Sequence, residues 1–319
     1  MYILVEPNRV YPDAQGMRAA IRAIAPGAQV DIARPSRATD TQLARAEIIY
    51  GTPNPTRLKT ARRLKWLQKD SAGVDKVVDR ALYAHPQDII LTNARGVFGL
   101  PIAEHVVMCI LAFNRHMADM VRAQDSETWL HLRQMRELAG ATCVVVGLGD
   151  LGLSIAQYLH ALGAHVIGVR RSGGVPPAGV DELVQTDRVE EVFPRAQYLV
   201  LALPVTPDTV GFLSAQRIAL LPQDCLVVNV GRGVHIDTGA LTEALQAQRI
   251  AGAALDVTDP EPLPAGHPLW HMPNVLITPH CSGLSDQRER RMMDLFLDNL
   301  ARYVSGAPLR NRIDFDRGY

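Results

Sequence analysis

Apolar residues in the first third of the chain gather into short runs, Tyr2–Val5, Gln29–Ile32, Ile48–Tyr50, Trp66–Gln68 and Ile89–Thr92, separated by segments of helical composition. Nearly continuous apolar runs alternating with helices predict a parallel sheet covered on its faces. One intervening segment, Thr56 to Lys69, reads as a helix. Its Leu58, Leu64 and Leu67 are spaced to turn inward, and Arg57, Lys59, Arg62, Arg63, Lys65 and Lys69 form a solvated basic face. From Ile102 to about Met120 the chain is apolar and helical, a connector that ends where Arg122 to Met135 turns polar around an isolated Trp129. A second alternating series follows: Thr142–Val146, His165–Val169, Tyr198–Leu203, Leu226–Val230, Gly252–Leu255 and Val275–Thr278. This is doubly wound α/β organisation again. A last helix, about Ser285 to Val304, lies beyond the series and can cross back to the first unit.

Composition narrows the class without naming a function. A chain of 319 residues has room for two domains with proper cores, and 47% hydrophobic against 21% charged residues excludes disorder as its main state. Lys+Arg and Asp+Glu both number 33, so no global field favours nucleic acid or an anionic membrane. Any charge selectivity must be local. Cys109, Cys143, Cys225 and Cys281 are far apart and contain no C-x-x-C pair, which predicts reduced thiols rather than a disulfide framework or a metal site. The N-terminus reads directly as a strand without the features of a secretory signal. The longest uncharged apolar run, Val106 to Phe113, is far short of the roughly 20 residues that span a bilayer. A cytoplasmic protein is expected.

The strand Thr142–Val146 runs into Gly147-Leu148-Gly149-Asp150-Leu151-Gly152 and then a helical stretch to Leu162. A lone G-x-G-x-x-G is weak, but one that leaves a strand, opens a helix and is followed by another strand is a dinucleotide turn. Gly147 permits the tight turn, Gly149 lets the backbone approach a pyrophosphate and Gly152 allows close packing, while the helix N-terminus at Asp150 and Leu151 offers unpaired amides. An NAD-selective site wants an acid at the end of the next strand; here stand Arg170-Arg171-Ser172, with no Asp or Glu between His165 and Val180. Two guanidiniums and a hydroxyl suit a 2′-phosphate. The expected cofactor is therefore NADP(H) in preference to NAD(H), with NAD(H) still open.

Three further strand ends carry chemistry that nucleotide binding alone does not need. They are Asn229-Val230-Gly231-Arg232-Gly233, the stretch Leu255-Asp256 through Glu261-Pro262-Leu263, and Thr278-Pro279-His280-Cys281-Ser282-Gly283. In open α/β sheets the carboxyl ends of the strands border the ligand crevice, so Arg232, Glu261 and His280 can converge there. Arginine can bind a carboxylate and a keto oxygen together, histidine titrates near neutrality, and a neighbouring carboxylate stabilises an imidazolium. Taken singly, each is more simply a surface charge, a polar turn or a loop histidine.

Together, in Arg-Glu-His order after a dinucleotide turn, they resemble the D-isomer-specific 2-hydroxyacid dehydrogenases. The resemblance runs over essentially the whole chain and includes Ser71-Ala72-Gly73-Val74-Asp75 and the stretch from Asn93-Ala94-Arg95-Gly96 to Ala103-Glu104-His105. It implies two doubly wound parallel-sheet domains with a cleft between them. One is a discontinuous flavodoxin-like substrate domain (residues 1–98 and 286–319), the other a Rossmann cofactor domain (residues 99–285), and family members usually form homodimers through the latter. By similarity His280 is the acid/base, Glu261 its partner and Arg232 the substrate-orienting cation. Amides at Ala72 and Gly73 hold the substrate carboxylate. Asp256 and Ser282 lie near the nicotinamide carboxamide, Pro204 and Thr209 near the ribose, and Val230 and His280 itself also border the cofactor. The arginines after the second strand depart from the NAD-dependent pattern and resemble the NADPH-preferring glyoxylate/hydroxypyruvate reductase branch. Glu261 stands where formate dehydrogenase-like relatives use an amide. The short stretch after the last helix leaves no room for the regulatory domain of many phosphoglycerate dehydrogenases, and no metal is expected.

The expected activity is hydride transfer from NADPH to a small 2-keto acid, glyoxylate or hydroxypyruvate. The rivals are the same chemistry on a bulkier or aromatic keto acid, and a non-catalytic dinucleotide-sensing interaction protein. Tyr50, Leu100, Trp129 and Trp270 are open candidates for the pocket wall.

Overall fold

The computed structural model describes residues 1–7, 13–34, 37–132 and 134–319. The chain forms two compact units, Met1–Phe98 with Ser285–Tyr319, and Gly99–Leu284. Ser285, expected with the second unit, clusters with the first.

The first unit holds a five-stranded parallel sheet in the order β2-β1-β3-β4-β5. Its strands are β1 (Tyr2–Glu6), β2 (Gln29–Ile32), β3 (Ile48–Gly51), β4 (Trp66–Lys69) and β5 (Ile90–Thr92). Side chains alternate between faces, so that Ile3, Val5, Tyr50 and Trp66 pack with Ile21 of helix α1 (Ala14–Ile24), while Leu4, Ile49, Leu67 and Leu91 pack on the other face with Leu43 of α2 (Asp40–Arg45). The C-terminal helix, α8 (Arg288–Ser305), closes the first face: Phe296 stacks on Tyr50 with ring centroids 4.4 Å apart, and the buried Asn299 amide donates to Gln68 Oε1 at 2.9 Å.

The segment Thr56 to Lys69 is not a helix. A 3-10 turn covers Pro55–Thr60, and the strand expected at Trp66–Gln68 is present as β4 (Trp66–Lys69). Trp66 and Leu67 are both fully buried because neighbouring strand residues serve opposite cores, an arrangement a one-faced helix cannot provide. Nor are the basic residues one solvated face. Arg57 pairs with Asp40 at 2.6 Å, and Lys69 is buried with its ammonium donating to Thr52 Oγ1 at 2.6 Å.

The second unit holds a seven-stranded parallel sheet in the order β12-β11-β10-β9-β6-β7-β8. The strands are β6 (Thr142–Val146), β7 (His165–Arg170), β8 (Glu182–Gln185), β9 (Tyr198–Leu201), β10 (Leu226–Asn229), β11 (Gly252–Leu255) and β12 (Val275–Ile277). Strand β8 gives no sequence signal: it is an edge strand whose ends are Glu and Gln. The long connector is interrupted as well. Helix α3 (Gly99–Asn114) stops before His116, which takes a left-handed conformation (φ 53°), and α4 (Met117–Asp125) starts anew. Helix α5 is Asp150–Ala161, α6 is Ala215–Ile218 and α7 is Thr238–Gln246.

The order of this sheet positions the site. From β6 the chain builds outward through β7 and β8, then returns to lay β9 on the other side of β6 and continues to β12. At such a switch point the loops leaving β6 and β9 diverge and open a crevice beyond the carboxyl ends of the strands. No helix among the described residues is long and apolar enough to cross a membrane.

Candidate active site

The glycine turn leaves β6 at the switch point. Gly147 has φ +97°, and a Cβ there would stand 2.6 Å from the Ala202 carbonyl at the end of β9. Gly152, in the first turn of α5, faces the Gly147 carbonyl so closely that a Cβ would sit 1.9 Å from its oxygen. Gly149 differs: a Cβ there would meet nothing within 4 Å. The turn is thus tight where it packs on the sheet and open where the N-cap of α5 faces outward. The first amides of α5, at Asp150 and Leu151, supply positive potential to that opening.

Arg170 closes β7, and its guanidinium folds onto the following loop. Nε donates to the Ser172 carbonyl at 2.9 Å and Nη2 to the Gly173 carbonyl at 3.2 Å. Gln185 of β8 donates to the Arg171 carbonyl at 3.2 Å, so both neighbouring strands shape this loop. Arg171 and Ser172 are exposed on it. After β9, Thr209 Oγ1 donates to the Pro204 carbonyl at 2.7 Å and accepts from the Thr206 amide at 2.8 Å, which closes residues 204–209 into a compact turn.

The next three strands, β10, β11 and β12, are neighbours in the sheet, and their ends carry Arg232, Glu261 and His280 in that order. Gly233 explains how the first two loops fit: a Cβ there would lie 2.0 Å from the Thr258 carbonyl carbon and oxygen, so only glycine lets the Arg232 loop rest on the backbone leading to Glu261. Arg232 itself is half-buried, with Nη1 donating to the Gly231 carbonyl at 2.8 Å. Val230, just before it, is buried.

His280 and Glu261 meet: Nδ1 lies 2.6 Å from Oε1, and both side chains are nearly half exposed, at 46% and 42%. A carboxylate at that distance favours the proton on Nδ1 and leaves Nε2 to exchange protons with a ligand. His280 has φ +50°, a left-handed conformation that few non-glycine residues adopt. Its amide donates to the Asp256 and Thr278 carbonyls, both at 2.9 Å.

The side chain of Asp256 does the rest of the anchoring. Oδ1 accepts from Thr278 Oγ1 at 2.6 Å and from the Cys281 amide at 2.9 Å, and Oδ2 accepts from the Ser282 amide at 3.0 Å. Burial alone would raise this carboxyl, but the hydrogen bonds from Ser282, Thr278 and the Cys281 amide outweigh it and hold the pKa below the ordinary value. Asp256 and Ser282 are therefore both buried in the loop anchor. From α3, His105 Nε2 reaches Thr278 Oγ1 at 3.2 Å.

In the first unit, the loop after β4 turns its carbonyls inward: Ala72 accepts from Asn93 Nδ2 at 2.7 Å and Gly73 from Ser71 Oγ at 2.8 Å. Of the residues open as pocket wall, Tyr50 is core, 1% exposed, whereas Trp129 is 85% exposed. Leu100 and Trp270 are partly exposed, and the Trp270 indole donates to the Pro264 carbonyl at 3.0 Å. All four cysteines are unpaired.

The chain as a whole has counterparts among known proteins. Residues 107–282 match the family model of the D-isomer specific 2-hydroxyacid dehydrogenase, NAD binding domain. The chain belongs to the D-isomer-specific 2-hydroxyacid dehydrogenase family. It is 30% identical over 272 residues to glyoxylate/hydroxypyruvate reductase A of Salmonella newport, covering 83% of this chain and 85% of that protein. A dehydrogenase of the same family from Xanthobacter autotrophicus Py2, solved with NADPH and MES, superposes with a TM-score of 0.85 at 30% identity, covering 100% of this chain and 99% of that one. The NADPH-dependent glyoxylate/hydroxypyruvate reductase of Sinorhizobium meliloti, solved with NADP and sulfate, gives 0.83 at 29% identity, covering 100% and 99%.

Two residues of this dehydrogenase were not distinguishable in the sequence as parts of the site. His105 stands in the Ala103-Glu104-His105 stretch that carries the family resemblance but has no role assigned there, and nothing in the sequence singles out His235 beyond its place three residues after Arg232. The ring is fully buried, accepts from the Arg232 amide at Nδ1 (3.1 Å) and faces the Pro204 carbonyl with Nε2 (3.2 Å). Burial pushes its pKa down from 6.5 to about 4, against the Pro204 hydrogen bond, which raises it. As pH falls from about 6.5 to about 4 the unfolded histidine takes up a proton that the folded one refuses, so the stabilisation is complete above this window and lost through it. Its size is on the order of 3 kcal/mol. Urea unfolding of wild type and of His235→Gln at pH 7.5 and 4.5 checks this. The wild type should lose more stability on acidification than the variant, and equal losses would contradict a buried neutral ring.

Proposed function

We propose that this dehydrogenase reduces a small 2-keto acid, glyoxylate or hydroxypyruvate, to the D-2-hydroxy acid with NADPH, in the cytoplasm. The observation that carries the reading is the 2.6 Å pair of His280 and Glu261 on strand ends adjoining that of Arg232. It supports an acid/base poised beside an anion-binding arginine, the combination that reduction of a keto acid requires.

The chain's residues fit the cofactor. The opening at Gly149 admits a pyrophosphate, the amides of Asp150 and Leu151 and the turn at Gly147 and Gly152 hold it, and Pro204, Thr209 and Val230 border the ribose and nicotinamide side. Arg170, Arg171 and Ser172 receive the 2′-phosphate. When bound, NADPH supplies the hydride. The relatives solved with NADPH and NADP favour the same preference, with NAD(H) the weaker cofactor.

His280 donates a proton from Nε2 to the keto oxygen, while Glu261 holds the opposite edge of the ring and compensates its positive charge. Arg232 binds the substrate carboxylate and stabilises the charge developing on the keto oxygen. By the family resemblance, amides of Ala72 and Gly73 bind the substrate carboxylate and the first unit is the substrate domain. Asp256 and Ser282 act at the nicotinamide side through the loop that carries His280. The exposed Met108, Met117, Val121 and Trp129 of the second unit support homodimerisation through the cofactor domain; sedimentation equilibrium checks it, and a monomer at micromolar concentration counts against it.

Replacing His280 with Gln should lower kcat for glyoxylate by about 10²–10⁴-fold while changing NADPH affinity far less. A rate within about threefold of wild type would remove His280 from the chemistry. Arg170→Asp should abolish or reverse the preference for NADPH over NADH, since it repels the phosphate and offers the 2′-hydroxyl an acceptor. An unchanged ratio of kcat/KM values for the two cofactors would show that the loop after β7 does not read the phosphate.

A further inference from the structure

The loops after β9 and β10 are joined by one side chain. His235 accepts the Arg232 amide at Nδ1 (3.1 Å) and presents Nε2 to the Pro204 carbonyl at 3.2 Å. An amide only donates and a carbonyl only accepts, so one protonation state serves both contacts: the neutral ring with its proton on Nε2. The facing groups are these two backbone atoms, and the nearby charge is the Arg232 side chain. A Cβ on Gly231 would lie 3.0 Å from Nδ1 and 3.1 Å from the Leu203 carbonyl, which keeps Gly231 and the ring in close contact beside β9.

Each end of the bridge continues into a functional loop. At one end the Pro204 carbonyl also accepts from Thr209 Oγ1 at 2.7 Å, so the ring is tied to the closed turn at residues 204–209. At the other end Arg232 precedes Gly233, which fits against the Thr258 backbone. The backbone of His235 is fastened as well, its carbonyl accepting from the Leu213 amide at 2.8 Å. We propose that His235 is a positioning residue that holds the substrate-side Arg232 loop through Nδ1 and the cofactor-side Pro204–Thr209 turn through Nε2. This rests on the roles given above to Arg232, Pro204 and Thr209.

Two substitutions separate the two contacts. His235→Asn keeps an acceptor where Nδ1 was and is too short to reach Pro204. His235→Gln carries an amide nitrogen to the place of Nε2 and leaves the Arg232 amide without an acceptor. Calorimetry of NADPH binding, and of oxamate binding to the NADPH complex, reads each side without turnover, and KM values for NADPH and glyoxylate read them with turnover. His235→Asn should weaken NADPH by about three- to tenfold and oxamate by less than twofold, and His235→Gln should do the reverse, the size expected for one neutral hydrogen bond. Equal effects of both variants on both ligands, or lowered thermal stability with both affinities unchanged, would overturn the proposal and leave a structural histidine.

The functional reading fails separately. If wild type binds both ligands but turns over no keto acid, that reading falls, and the crossed pattern of affinities still decides the role of His235; if wild type binds neither, both fall. Should either variant not fold, nitrogen NMR of ring-labelled wild type tests the two contacts that the proposal needs. The proposal expects the Nε2–H tautomer to be retained from pH 8 to 5, and an Nδ1–H tautomer or a protonated ring in that range would contradict it.

Discussion

A carboxylate removed from water stays ionised only if its lone pairs are taken up by donors, and Asp256 meets that condition with the loop that carries His280. Its oxygens accept from Thr278, Cys281 and Ser282, which lie on either side of the histidine. His280 is thereby held in a left-handed conformation that would cost of order 1–3 kcal/mol if nothing opposed it. Held there, it lies within hydrogen-bond distance of Glu261. The dyad is therefore a product of a buried anchor behind it as much as of the two residues that compose it.

The other side of the site depends on close backbone packing. Gly233 brings the Arg232 loop onto the strand-end segment that leads to Glu261, and Gly147 and Gly152 fold the glycine turn against β9 and onto itself. In each case a side chain would push apart backbone segments that lie in contact. The sheet order supplies the rest, since reversal of the chain at β6 and β9 places the glycine turn, the Pro204 turn and the Arg232 loop along one edge. The Arg232 loop and the Pro204 turn are neighbours because their strands are.

Much of this was legible in the sequence, for identifiable reasons. Buried parallel strands read as unbroken apolar runs, so the strands that form the middle of both sheets stood out. The dinucleotide turn was visible because its glycines fall at a fixed spacing between a strand and a helix. Edge strand β8 was not visible, because half-exposed polar ends give it no apolar run. The stretch Thr56–Lys69 misled because its leucines and basic residues have helical composition, although its end had also read correctly as a strand at Trp66–Gln68; Trp66 and Leu67 serve opposite faces of a sheet and Lys69 is buried in a polar contact with Thr52. The Arg-Glu-His set was legible as an ordered trio, but the anchoring of its loops was not. Asp256 and His105 reach the Thr278–Ser282 segment and His235 reaches Pro204, and local patterns carry no record of contacts made across strands.

Cofactor selection is where local charge decides most. Arg170 is already fastened to the carbonyls of Ser172 and Gly173, which presents the loop in one shape before any ligand arrives. A 2′-phosphate bound there, as proposed, would add charge-assisted contacts that NADH cannot make, partly screened because the loop is exposed. The most direct test of the whole account is kcat/KM of the wild-type enzyme for hydroxypyruvate at low salt with NADPH and with NADH. The account predicts D-glycerate as product and a preference for NADPH of about ten- to a few hundred-fold. Equal values with the two cofactors, or no reduction with either, would contradict it.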